Sequence, residues 1–203
     1  MRYQYGWEQT DKDHLFITHN DVLYTSDIIG AMLSGIGDNI GIGPVGQCWN
    51  CSAHFAGVCT PDTYQQYKPT FTELLALMKQ FPGKREKDYG KLPYKDRPWP
   101  LPECRLNEWT AMVNMKLARS VTMPKGDTLP FGAFYELDIG TRWFSDVHSK
   151  GYRVANFNLS GYATHAWAGT VPSGHFALTS ADEYSHSEQV AEEYLKTEIA
   201  NNL

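Results

Sequence analysis

Several features are missing from this sequence, and each absence narrows its function. No apolar run approaches the roughly 20 residues that a membrane-crossing helix needs, so a membrane protein is not expected. The opening stretch, MRYQYGWEQTDKDHLFITHN, lacks the apolar core of a secretory signal. Cysteine is scarce, with four in 203 residues. Without a signal, so few cysteines read as thiols or metal ligands in a reducing compartment, not as a disulfide framework. The expected location is therefore cytoplasmic, in a cell or in a cell that hosts a virus. An excess of positive charge is also missing: 18 Lys and Arg face 23 Asp and Glu, a net charge of −5. A nucleic-acid binder usually presents a basic face, so nucleic acid is not an expected partner. Internal repeats and low-complexity tracts are absent. The Gly-rich stretch 35–46, GIGDNIGIGPVG, has neither the Lys-Ser/Thr of a phosphate-binding P-loop nor a dinucleotide fingerprint, and reads as a flexible loop.

What is present is an ordinary globular composition with many rings. Hydrophobic residues make up 42% and aromatic residues 13%, including 12 Tyr, 9 Phe and 6 Trp. That is enough apolar area for a single globular domain over 1–203. The Pro- and charge-rich stretch at about 82–105 is expected to be an exposed loop or excursion. Strand material is expected at 15–25, with a turn at Asn20–Asp21. A helix over 26–35 has Ser26 as cap and Gly35 as stop. Residues 71–81 form a second helix, announced by the capping box of Thr70 and Glu73. A third is expected over 107–121 with Asn107 as cap. A strand is expected at 131–140 and a helical segment at 141–151. Three short strands follow in YRVANFNLSG, YATHAWAGTV and GHFALTSA. The chain closes with a helix over 186–200, capped by Ser185 and Glu188 with Val190, Tyr194 and Ile199 inward. Helices precede a strand-rich segment, an α+β pattern: helices packed on an antiparallel sheet formed mainly by the C-terminal half.

The chemically specific stretch is VGQCWNCSAHFAGVC, residues 45–59, which holds three of the four cysteines and one histidine. Cys48, Cys51, Phe55, Val58 and Cys59 recur at helical spacing, so a helix is expected from about 46–48 to Thr60–Pro61. Cys48 would then stand in the first turn, where the partial positive charge of a helix N-terminus stabilises a thiolate. A nucleophilic cysteine also needs a base and a group to orient that base. Seven histidines can supply it: His14, His19, His54, His148, His165, His175 and His186.

GQCW at 46–49, followed by small and apolar residues, resembles the nucleophile motif of the transglutaminases, papain-like enzymes of the Cys-His-Asp class. The resemblance continues in THAWAG (164–169), where His165 precedes Trp167 by two. One strand later, ALTSADEY carries Asp182. It implies Cys48 as nucleophile, His165 as base and Asp182 as orienter. Gln47 or a neighbouring backbone N–H would complete the oxyanion hole. The implied reaction is acyl transfer on an amide of a protein or peptide, whether hydrolysis, deamidation or cross-linking, and no cofactor is required. An alignment closer to papain, on CWNCSA, makes Cys51 the nucleophile instead.

Other readings of the same residues stand beside this one. Cys51 and Cys59 share the apolar stripe with Phe55 and read as core. Cys48, Cys51, His54, Cys59 and Cys104 have the ligand types of a zinc site, with Cys104 able to take the place of His54. Thr18 and His19, on a strand leading into a helix, with Glu188 near the C-terminus, faintly resemble the NAD-binding start of ADP-ribosyltransferases. The basic run Lys84, Arg85, Lys87, Lys91, Lys95 and Arg97, interleaved with Tyr89, Tyr94 and Trp99, has the makings of a single-strand grip but reads as a solvated loop. The alternative to an enzyme is a noncatalytic binding or structural protein, such as a virion component or an inhibitor of a host enzyme.

Overall fold

The computed structural model describes residues 2–82, 104–135, 138–165 and 181–199, with the side chains at 2, 134, 135, 165, 181–184, 187, 188, 191, 198 and 199 left aside. Almost all of the 82–105 excursion and of the third strand candidate, GHFALTSA, lies outside the described residues.

The chain opens with α1 (Arg2–Gln9), then β1 (His14–Thr18) and β2 (Val22–Tyr24). The Asn20–Asp21 turn separates these two strands, but they do not pair with each other. Next comes α2 (Ile28–Ile36), capped by Asp27 and not Ser26: the Asp27 carboxylate accepts the Gly30 N–H at 2.9 Å. Ser26 instead donates its hydroxyl to the Gly161 carbonyl at 2.8 Å. The helix runs past Gly35 and is followed by Gly37, whose φ of +47° suits glycine.

The Gly-rich stretch expected as a loop contains a central strand, β3 (Gly41–Gly43). Its glycines are a packing requirement. A Cβ on Gly43 would stand 2.8 Å from Leu106 Cδ1 and 2.9 Å from the Thr110 carbonyl oxygen. Ile40 and Ile42 supply the burial that holds the strand in place.

The expected continuous helix over the cysteine segment is two short pieces. A 3₁₀ turn covers Cys48–Asn50, Cys51 is extended, and α3 is only Ser52–Phe55. By contrast α4 (Phe71–Gln80) forms with the expected reciprocal capping box of Thr70 and Glu73. The helix expected over 107–121 is half strand. β4 (Thr110–Asn114) comes first, then α5 (Met115–Val121), capped by Asn114 and not Asn107. Tertiary pairing overrides helix propensity here, because β4 lies between β1 and β3 and is buried on both faces.

The rest of the described chain is β5 (Phe134–Tyr135), β6 (Asp138–Ile139), α6 (Thr141–Ser149), β7 (Val154–Asn156), β8 (Ala163–His165) and α7 (Ala181–Tyr194). A π turn, Leu195–Ile199, continues α7. The last helix starts before Ser185, which is therefore interior to it and not a cap. It is tied back by the Tyr194 hydroxyl, which donates to the Tyr24 carbonyl at 2.7 Å.

The fold is α+β. The main sheet has the order β1-β4-β3-β7. Its first two pairings are antiparallel, and β3 with β7 is parallel. The sheet is therefore mixed and not antiparallel, and with two strands from each half of the chain the C-terminal half contributes no more to it than the N-terminal half. β2 pairs with β8, and β5 with β6. Strand alternation sends Met112 and Ile42 to one face, where Ile28, Met32 and Ile36 of α2 cover them. The other face carries Ala111 and Val113 against Trp7 of α1 and Trp143, Phe144 and Val147 of α6. Trp143 anchors that layer, edge-on to Phe131 with ring centroids 5.2 Å apart, its indole N–H donating to Thr122 Oγ1 at 2.9 Å. Among the described residues no helix is long and apolar enough to cross a membrane.

The contacts of β3 set a test. Gly43→Ala drives a methyl group into the Thr110 carbonyl and the Ala111 backbone, which cannot yield as a side-chain tip can. It is expected to lower the free energy of unfolding by about 1–3 kcal/mol, measured by urea denaturation against wild type.

Candidate functional site

β3 and β7 run parallel and end together, and beyond their carboxyl ends the chain diverges into two walls. In open sheets with parallel strands this is where ligands bind. One wall is the segment from Pro44 to Trp49, the other the segment from Asn156 to Ala163. Between them lies a cleft of about 610 Å³, which Asp62, Asn107 and Trp109 also line.

The first wall is held by its backbone. Gly46, at φ +86°, donates its N–H to the Arg105 carbonyl at 2.8 Å, and Asn107 N–H donates to the Pro44 carbonyl at 2.9 Å. Asn107, 1% exposed, adds its side chain: Nδ2 donates to the Gly46 carbonyl at 2.9 Å. The second wall is joined to the first by Asn156. Its Oδ1 accepts the Val45 N–H at 3.1 Å, and its Nδ2 donates to Asp62 at 2.7 Å.

A buried ionic group lies behind the first wall. Arg105 places Nη1 2.7 Å from Glu108, 3.3 Å from Asp138 and 3.0 Å from the Ile139 carbonyl. Gln47 completes it, Nε2 donating to Asp138 at 2.7 Å. Expected to help an oxyanion, Gln47 is instead 4% exposed and turned into this network, and it fixes the residue before Cys48. At the network's outer edge, His19 sits 4.0 Å from Glu108 and 3.9 Å from Asp21.

Cys48 lines the cleft and is half-buried, and all four cysteines stand as thiols. The helix that was to polarise Cys48 is a three-residue 3₁₀ turn, too short to build a substantial macrodipole. Activation of this thiol therefore depends on a base. Cys51, Cys59 and Cys104 are buried. Burial, reinforced by the neighbouring Cys51, pushes the Cys59 thiol up to about 11, so it stays protonated and inert at neutral pH. All four cysteines and His54 line one small cavity beneath the turn. His54 Nδ1 lies 3.3 Å from the Cys59 carbonyl. Among the described residues no three His, Cys, Asp or Glu side chains gather as metal ligands do.

Of the expected triad, Cys48 is placed by its side chain, and the other two positions by backbone only. His165 ends β8, opposite Val22, and Asp182 falls in the first turn of α7. The side chains of both lie outside the described residues, as do Trp167 and His175 and the side chain of Glu188. Thr18 closes β1 and His19 follows it, with β2 between them and the next helix, and the Thr18 hydroxyl shares a hydrogen bond with Tyr24 at 2.5 Å.

The polar residues of the cleft walls escaped sequence reasoning. Asp62, Asn156 and the pair Asn107 and Trp109 belong to three separate segments and carry no spacing signal. Tyr64 and His148 were also missed as a pair. His148 Nδ1 lies 2.8 Å from the Phe144 carbonyl and Nε2 lies 2.8 Å from the Tyr64 hydroxyl, itself 2.9 Å from the Val154 carbonyl. Burial holds His148 down at about 4 and pushes the Tyr64 phenol up to about 12.

Comparison with known proteins finds no matching family model, no matching curated protein and no matching solved structure.

Two outcomes follow. Burial keeps His148 neutral in the fold down to about pH 4, whereas it takes a proton near 6.5 once unfolded, so its contribution to stability is constant above pH 6.5 and falls as pH drops toward 4. The loss is on the order of 3 kcal/mol, and His148→Gln should remove that slope from urea titrations at pH 4 to 8. Separately, Arg105→Leu leaves the buried Glu108 carboxylate without its cation and should cost about 3–5 kcal/mol in the same assay.

Proposed function

We propose that the chain is a thiol enzyme that transfers the acyl group of an amide, with Cys48 as nucleophile. The observation that carries this reading is that Cys48 alone of the four cysteines lines the large cleft, at the carboxyl ends of the parallel strands. A second observation supports His165 as the base. Ala163 lines the same cleft, and position 165 lies two further along β8, the spacing that shares a strand face.

In this reaction the Cys48 thiolate attacks the carbonyl carbon, and the carbonyl oxygen takes the negative charge. Backbone N–H groups at the start of the 3₁₀ turn, beside the thiol, are the natural donors to it. His165, holding the proton of Cys48, delivers it to the nitrogen as the C–N bond breaks. The acyl group stays on Sγ as a thioester. Water or an amine, deprotonated by His165, then attacks that thioester. The C–S bond breaks and the thiolate, or the thiol after proton return, is restored. Water yields a carboxylic acid and an amine yields a new amide. Asp182 orients His165 in this scheme.

The noncatalytic reading rests on the same cleft. It is favoured by Trp49, which is 40% exposed beside it, since a large indole left at a cleft is a binding feature. In that reading the Cys48 thiol is inert.

Alkylation by iodoacetamide between pH 4 and 9, followed for each cysteine by peptide mass spectrometry, separates the two. Rapid modification of Cys48 with an apparent pKa well below about 8.5 is expected, with Cys59 slow throughout. His165→Gln should move the Cys48 profile back toward the ordinary thiol value. Cys48 reacting as slowly as Cys59, or a profile untouched by His165→Gln, would sink the enzyme reading.

A further inference from the structure

We infer that the cleft binds a neutral saccharide bearing an acylamino group. The acylamino part rests on the proposed chemistry at Cys48, whereas the saccharide part stands on the cleft alone.

Charge narrows the ligand first. No Lys, Arg or His lines the cleft among the described residues, and its one carboxylate, Asp62, is engaged by Asn156. Among the described lining side chains a phosphate or carboxylate meets no cation, and the imidazole proposed at position 165 is engaged with Cys48. The backbone beside the cleft is also committed. The Gly43 carbonyl accepts the Phe157 N–H, the Pro44 carbonyl accepts Asn107 N–H, and Gly46 donates to Arg105. Val45 N–H is taken by Asn156 Oδ1. An extended peptide therefore meets committed groups along the first wall, and recognition there falls to side chains.

Those side chains suit a sugar. Trp49 and Trp109 offer flat apolar surface for the C–H face of a pyranose ring. Asn158, Asp62 and Ser160 offer the short acceptors and donors that hydroxyl groups need, with Asn156 holding Asp62 in place. Asn107 adds a specific vacancy. Its Nδ2 is bound to a carbonyl, which can only accept, so the orientation of the amide is fixed. Its Oδ1 is then an acceptor buried at the cleft wall with no hydrogen-bond partner. Leaving such an atom unmet is costly, and a ligand N–H or O–H would meet it. Asn107 grips Gly46, two residues before Cys48, so its amide and the thiol belong to one wall of the cleft. An acylamino group fits that place, its N–H toward Asn107 and its carbonyl toward Cys48.

The test uses the full-length Cys48→Ala protein, so that no turnover interferes. Its titration calorimetry and tryptophan fluorescence are followed with an N-acetylglucosamine trimer, a glucose trimer and an acetylated tripeptide amide. The expected result is binding of the N-acetylglucosamine trimer about tenfold tighter than the glucose trimer, with altered indole emission. Trp49→Ala, at an exposed position that leaves the core intact, should weaken it by at least about tenfold. Equal binding of the two trimers overturns the acylamino assignment. Binding of the tripeptide alone, of no probe, or of a trimer indifferent to Trp49→Ala overturns the saccharide assignment. Saccharide binding by a protein whose Cys48 is unreactive would remove acyl transfer and keep this inference, whereas a reactive Cys48 without saccharide binding would do the reverse.

Discussion

Arg105 is a guanidinium 5% exposed, and the position of every group in the cleft's first wall depends on how that charge is compensated. A buried cation is tolerable only when opposite charge and acceptors surround it. Glu108, Asp138 and the Ile139 carbonyl do so from two separate segments. Asp138 then takes the Gln47 amide, and the Arg105 carbonyl takes the Gly46 N–H. The segment 105–107 thus becomes a strap with its charged end anchored and its edge laid along Pro44–Gly46. Cys48 follows directly from that strapped edge, so its entry into the cleft is fixed by electrostatics two residues away and not by its own turn.

The strap also explains why the strand before it is made of glycine. Leu106, fully buried between the two ends of the strap, presses its Cδ atoms onto β3. A side chain at 41 or 43 would displace Leu106 and run into the backbone of β4 at Met112 or Thr110. A sequence that reads as a flexible loop is therefore the tightest part of the sheet. The choice of glycine follows from close backbone approach, one of the two uses glycine has in strands.

Local signals in the sequence were informative where local physics decides the outcome. The Thr70–Glu73 capping box, the Asn20–Asp21 turn and the helix after Gly140 all formed where reading the residues places them. The signals misled where distant pairing decides. Residues 107–121 end in a run of helix formers, Met115 to Arg119, yet 110–114, with β-branched Thr110 and Val113, serve as a central strand flanked by β1 and β3. Apolar periodicity in the cysteine segment suggested one helix. Packing instead divided it at Cys51, whose extended backbone (φ −92°, ψ 118°) lets the chain turn over the small thiol-lined cavity. For the site, the thiol was legible because cysteine chemistry is local. The asparagines and Asp62 were not, since they acquire meaning only when three segments converge.

The division at Cys51 also bears on which thiol serves as nucleophile. A continuous helix would have set Cys48 and Cys51 one turn apart on one face, with either able to meet a substrate. The break rotates them apart: Cys48 lines the cleft and Cys51 is 8% exposed among the core residues. It also shortens the turn beneath Cys48 to three residues, which weakens any field from aligned peptide dipoles. A thiol here gains access from the break and loses the charge stabilisation that a long helix would have given. The chemistry proposed for Cys48 thus places an unusual demand on its base, because proton removal has to come from a neighbouring imidazole.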